Sequence, residues 1–164
     1  MVKIVVLYGP PADPAAFEDH YAGKHLPLAS NILVPVTGNE VSRRAAELAI
    51  ATARACNASL TALYAANPAG RSSRRLRSGH AGRAEARAIL DEVVEMAQRQ
   101  DLKIRTAVHG EVAAHQAILT QARRSACDLL IMGVSRRPGD KLFFGDTAAA
   151  VFKHAPSSIV FLTG

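Results

Sequence analysis

The segment GVSRRPGDKLFFGDT, Gly133 to Thr147, holds the residue types that bind a phosphate. Gly133 closes an apolar run, and Gly145 stands where a helical run opens. Glycines let backbone N–H groups approach phosphate oxygens, and a helix N-terminus favours negative charge. Arg136 and Arg137 add planar guanidinium forks that can pair with those oxygens. Asp146 opposes this chemistry, because it sets an anion directly after Gly145. At a helix start its carboxylate can itself accept the free N–H groups. A phosphate ~4 Å away would meet like charge, at on the order of 1–4 kcal/mol for effective dielectrics of 80 to 20. Two arrangements follow. Either the arginines offset Asp146 and the loop takes an anionic ligand, or Arg136 and Arg137 pair with Asp140 or Asp146 and fill the space themselves.

Other chemistry-bearing residues are less definite. Ser135 follows a strand-like run, but a nucleophile elbow needs glycine two residues on, where Arg137 stands. No catalytic residue is therefore expected. The six histidines are His20, His25, His80, His109, His115 and His154. None pair at the i, i+4 spacing of a helical metal site, and no metal is expected. Cys56 and Cys127 have neither disulfide nor metal spacing and read as reduced, buried thiols. Residues 71–83, RSSRRLRSGHAGR, hold five arginines and no acid. That composition reads as a solvated basic loop. No aromatic residue interleaves the arginines, so no base-stacking platform and no nucleic-acid partner are expected.

Loops of this kind must be held by regular elements, and the pattern supplies them. The chain has 164 residues, 49% apolar and 21% charged, an ordinary composition for one globular core. No apolar run approaches the ~18 residues of a membrane span, and cytoplasmic residence is the expectation. From residue 31, strand-like and helix-like runs alternate: NILVPV (31–36), a helix over about 40–56 capped by Asn39, SLTALYAA (59–66), a helix over about 81–100, KIRTAVHG (103–110), a helix over about 112–125, DLLIMGV (128–134), a helix over about 146–154, and SIVFL (158–162). Such alternation predicts an α/β, Rossmann-like open parallel five-stranded sheet with helices on both faces. Ligands in such sheets lie at the carboxyl ends of the strands. The turns near Thr37, Gly133 and Gly145 should then share one cleft. Residues 1–30 fall outside the unit. VKIVVLY is strand-like, and Pro14 can open a helix to about His25, so this is an added β-α segment.

Residues 31–164 resemble the universal stress protein family over their whole length. NILVPVTGNEVSRRAAELAIATA is similar to its first strand and helix. DLLIMGVSRR and FFGDTAAAVFKHAPSSIVFL are similar to its fourth strand, nucleotide loop, last helix and last strand. The resemblance implies a non-enzymatic sensing or regulatory domain whose pocket takes ATP or another adenine nucleotide. It places Pro35, Val36, Thr37, Ala65, Met132, Gly133, Ser135, Arg136, Arg137, Gly145, Asp146 and Thr147 at that pocket. ATP-binding members carry glycine, two residues, glycine, nine residues, then glycine with serine or threonine. Here Arg136 replaces the second glycine, the spacer is one residue shorter, Asp146 takes the hydroxyl position, and Thr37 replaces a strand-end aspartate. The pocket is thus altered, and a structural dimerisation module with a self-filled pocket is the alternative.

GVSRRPGDKLFFGDTAAAV also resembles the cytoplasmic domains of some bacterial cation/proton antiporters, which implies a membrane transporter as partner. MVKIVVLYGPPADPAAFEDHYAGKHLPLA resembles the opening of the EthD-like family, without the rest of that barrel. Stress-protein relatives often dimerise through the last strand. The same is expected of SIVFL, placed at a sheet edge with VKIVVLY competing for an edge.

Overall fold

The computed structural model describes residues 7–8, 29–65, 80–110, 112–134 and 145–163. The predicted helix from Pro14 to about His25, most of VKIVVLY, the basic stretch 71–79 and residues 135–144 lie outside them. Strands are β1 (Leu7–Tyr8), β2 (Asn31–Val36), β3 (Ser59–Ala65), β4 (Arg105–His109), β5 (Leu129–Val134) and β6 (Ser158–Thr163). Helices are α1 (Glu40–Cys56), α2 (His80–Gln98), α3 (Ala114–Arg124) and α4 (Gly145–His154). Every element predicted from residue 31 onward is present, with ends shifted by one or two residues. Because α2 begins at His80, Arg83 belongs to a helix and not to the basic loop.

All pairings are parallel, in the order β1-β6-β5-β2-β3-β4. The long apolar strands follow from this placement. Successive side chains point to opposite faces, and both faces carry helices, so every position must be apolar. Ile32, Val34 and Val36 of β2, with Leu129 and Ile131 of β5, enter the core under α1 and α2. Leu33, Leu130, Val134, Ile159 and Phe161 enter the second core, under α3 and α4. The helical stripes match: Ala45, Leu48, Ala49 and Ala53 of α1 are buried, as are Ile118, Leu119 and Ala122 of α3. Cys56, predicted buried, is only half-buried, as is Val41. Cys127 is buried and its thiol is pushed up to about 11, chiefly by burial, so it stays protonated at neutral pH.

One expectation needs correction. SIVFL was placed at a sheet edge, yet β6 is not outermost, because β1 lies along its outer side. Among the described residues the outermost strands are β1 and β4.

At the amino ends of the strands, Asp128 joins three of them. Its carboxylate accepts from Ser30 N at 2.8 Å and from Asn31 N at 3.1 and 3.2 Å. Its own N–H donates to the Asn31 carbonyl, and its carbonyl accepts from Ser158 N, both at 3.0 Å.

Candidate functional site

The chain runs outward from β2 to β3 and β4, then returns to place β5 on the other side of β2. β2 and β5 therefore flank the point where strand order reverses, beyond whose carboxyl ends open α/β sheets form their ligand crevice. Ile32 lies level with Leu129 and Leu33 with Leu130. The same spacing carried four residues on reaches Val36 and Gly133. Beyond those ends come Thr37 on one side and the glycine loop on the other. The helix following β2 covers one face of the sheet, and the helix entered at Gly145 covers the other.

The β2 side of the crevice is tightly built. Asn39 is extended, and its side-chain oxygen accepts from Ser42 N at 2.8 Å, capping α1 as its position predicts. The buried Ser42 hydroxyl accepts from Thr37 N at 2.9 Å. Two backbone donors that could face a ligand are thus held by side chains of the same turn. Sequence reasoning missed Ser42, because a serine inside a helix carries no signal that it reaches back to a strand end. We expect Asn39→Ala to cost about 1 kcal/mol in urea unfolding, while Asn39→Ser stays near wild type. Wild-type stability in Asn39→Ala would show that the cap contributes nothing.

Gly133 and Gly145 do different work. A Cβ built on Gly133 would lie 2.6 Å from Val41 O and 2.9 Å from Ser42 N, so the first turn of α1 rests on that glycine. Gly145 has φ +78° and a Cβ there would meet nothing within 4 Å. Its need for glycine is conformational, since among the described residues nothing crowds the position.

Asp146, in the first turn of α4, is exposed, and no hydrogen bond or ion pair joins it to another described residue. The screened end of the charge-repulsion range therefore applies to it. Glu40, also exposed, occupies the first turn of α1. Each helix N-terminus at the crevice thus bears one carboxylate. Pro35, Val36, Ala65, Met132 and Gly133 end their strands at this side of the sheet, and Thr147 is half-buried one residue past Asp146. Ser135, Arg136 and Arg137 lie outside the described residues.

A cleft of ≈ 150 Å³ opens between α1 and α2, over Val36, Gly38, Ile89, Val93 and Met96, bordered by Asn39, Glu40 and Ser42 of the turn after β2 and by Arg43 and Glu92. Of the predicted site residues only Val36 reaches it. Arg43 Nε lies 3.4 Å from Glu92 of α2 and 3.6 Å from Glu47 of its own helix; both pairs are half-exposed, and the first links α1 to α2. Among the described residues no group of three or more His, Cys, Asp or Glu is placed to hold a metal ion. His109 Nε2 lies 3.2 Å from Gln121 Oε1, a pairing of β4 with α3 rather than a ligand set.

Known proteins share this architecture. UspA of Lactobacillus plantarum, a universal stress protein, is 25% identical, with 80% of this chain and 96% of that chain covered and a TM-score of 0.59. A universal stress protein in complex with cAMP is 23% identical, covering 82% of this chain and 96% of that one, with a TM-score of 0.60. One from Archaeoglobus fulgidus in complex with dAMP is 18% identical, covering 80% and 96%, with a TM-score of 0.61. The last two likenesses speak for the fold alone. A curated protein of Rhodococcus erythropolis, an uncharacterized 11.0 kDa protein of the thcB-thcC intergenic region, is 50% identical over 32 residues, 20% of this chain and 31% of its own length. This chain thus spans under a third of that relative. The family model described as "Universal stress protein family" matches residues 29–162, and the chain belongs to that family.

Proposed function

We propose that this chain is a non-enzymatic sensing domain of the universal stress type, and that the crevice between β2 and β5 takes an adenine nucleotide weakly. The observation that carries this reading is the reversal of strand order between β2 and β5, whose carboxyl ends lead into the Thr37 turn and, from Gly133, into the glycine loop. Relatives in complex with cAMP and dAMP support the ligand class. The departures act on affinity. Thr37 N is already bonded, and Glu40 and Asp146 put a carboxylate at each helix start, which disfavours a highly charged polyphosphate. Nucleotides carrying one phosphate suit the crevice better than ATP. The basic run of the glycine loop, Arg136 and Arg137, is the group that would meet that phosphate.

Calorimetric titration of the chain with ATP, AMP and cAMP tests this. AMP or cAMP should bind more tightly than ATP. Asp146→Ser should raise ATP affinity about fivefold, the effect of removing one screened like charge at ~4 Å. Absence of heat for all three at millimolar concentration rules out the nucleotide reading and leaves the structural module.

The resemblance of GVSRRPGDKLFFGDTAAAV to antiporter cytoplasmic domains supports a second level of the same role, in which occupancy of the crevice is passed to a transporter at the cytoplasmic face of a membrane. Among the described residues no helix is long and apolar enough to cross a membrane.

A further inference from the structure

The cleft between α1 and α2 joins two kinds of surface. Its floor is apolar, with Val36 of β2 and Val93 and Met96 of α2 buried along it. Ile89 walls the end nearest the turn after β2. A Cβ built on Gly38 would meet Ile89 Cδ1 at 2.8 Å, so α2 closes on that turn. The rim is charged and out of balance. Glu40 is exposed, and no hydrogen bond or ion pair joins its carboxylate to another described residue. Arg43 is shared between Glu92 and Glu47. Three carboxylates thus stand around one guanidinium. This leaves a negative spot on a chain whose net charge is +6.

We propose that this cleft binds a small organic cation, an ammonium group carried on a ring-sized apolar body. The volume sets the size of that body, since ≈ 150 Å³ is the space in which an engineered apolar cavity holds benzene. The floor sets its character. Val36, Ile89 and Val93 offer aliphatic contact, and the Met96 thioether favours the edge of an aromatic ring. Water over such a floor lacks polar partners and is displaced at little cost. The rim sets the charge. A cation at the mouth meets Glu40 and takes a share of Glu92, whereas an anion meets like charge from both. Both carboxylates are exposed, so each attraction is screened and modest. A ligand of this size should bind at roughly millimolar strength, and selection rests on its having both ring and charge. The proposal does not depend on the nucleotide reading, because Gly133, Gly145 and Asp146 do not line the cleft.

The test titrates the full chain with benzylamine, benzyl alcohol and benzoate, one ring bearing a positive, a neutral and a negative group. Methyl NMR reads the site. The signals of Val36, Ile89, Val93 and Met96 should shift together with benzylamine and saturate. Benzylamine should bind about fivefold more tightly than benzyl alcohol, the effect of one screened charge at ~4 Å, and benzoate more weakly than either. Glu40→Gln should bring benzylamine down towards the alcohol and leave the alcohol unchanged. Arg43→Gln should act the other way and raise benzylamine affinity about fivefold, because it frees Glu92 and Glu47. Both side chains are exposed, so neither change disturbs the cores. Absence of shifts at these four residues well above millimolar benzylamine overturns the site, even where methyls elsewhere move. Equal affinity for benzylamine and benzyl alcohol overturns the cationic ligand class, as does wild-type benzylamine affinity in Glu40→Gln.

Discussion

Gly133→Ala is expected to lower the stability of the chain by about 1–3 kcal/mol, the usual cost of overpacking a filled site. In a thermal scan that is a fall of roughly 3–10 °C for a domain of this size. The added Cβ would meet Val41 O at 2.6 Å, Val41 C at 2.8 Å and Ser42 N at 2.9 Å. All three are backbone atoms of the first turn of α1, so no side chain can rotate aside and the helix start must lift. Lifting it strains the Asn39–Ser42–Thr37 bonds that join α1 to the end of β2. Exchange at the Thr37 and Ser42 amides should therefore rise with the loss of stability. Gly145→Ala provides the contrast. It has φ +78° with nothing within 4 Å, so it should lose about 1–2 kcal/mol from backbone strain and leave the exchange of Thr37 and Ser42 as it was. Wild-type stability in Gly133→Ala would mean that α1 does not rest on β5 as described.

The pair of glycines also shows where sequence reasoning stops. Both stand out as phosphate-cradle glycines by their places after a strand and before a helix. That one is needed for α1 to approach β5, and the other for its left-handed backbone, is decided by contacts far apart in the chain. The fold itself was open to reading because its signals are local. Asn39 before an apolar helical stripe marks a cap, and after Asp128 the run LLIMGV has no polar position because a central parallel strand is covered on both faces. The order of strands is less local. The pattern gives five parallel strands, but only coordinates show that β5 returns beside β2, making the crevice, and that β1 attaches to β6. Ser42 was silent for a related reason. Its hydroxyl serves Thr37 across the turn, and a helical serine commonly serves nothing. Asp146 was legible as an acid at a helix start, yet whether its carboxylate caps the helix depends on geometry. In the structure it stands exposed, without a described partner, so the charge remains at the crevice instead of being consumed by the helix.

Asp128→Ala is expected to cost about 1–3 kcal/mol, because it leaves backbone donors without their charged acceptor at a place only partly open to water. The carboxylate receives Ser30 N at 2.8 Å and Asn31 N at 3.1 and 3.2 Å, which fixes the chain where it enters β2. The backbone of Asp128 bonds Asn31 on one side and Ser158 on the other, so the same residue starts β5 between β2 and β6. Losing the side chain loosens the amino ends of three adjacent strands at once. Asp128→Asn keeps one acceptor oxygen without the charge and should lose about half as much, since hydrogen bonds to charged groups are roughly twice as strong as neutral ones. The two variants should order as wild type, Asn, Ala in urea unfolding, with the slope unchanged because the same surface is exposed. The crevice lies at the opposite ends of these strands, so nucleotide titration of folded Asp128→Ala should match wild type. If Asn and Ala are equally destabilised, the charge carries none of the effect. If Ala unfolds with the wild-type midpoint, the strands are held in register by their backbone ladders and apolar faces alone, and the clasp at Ser30 and Asn31 is incidental.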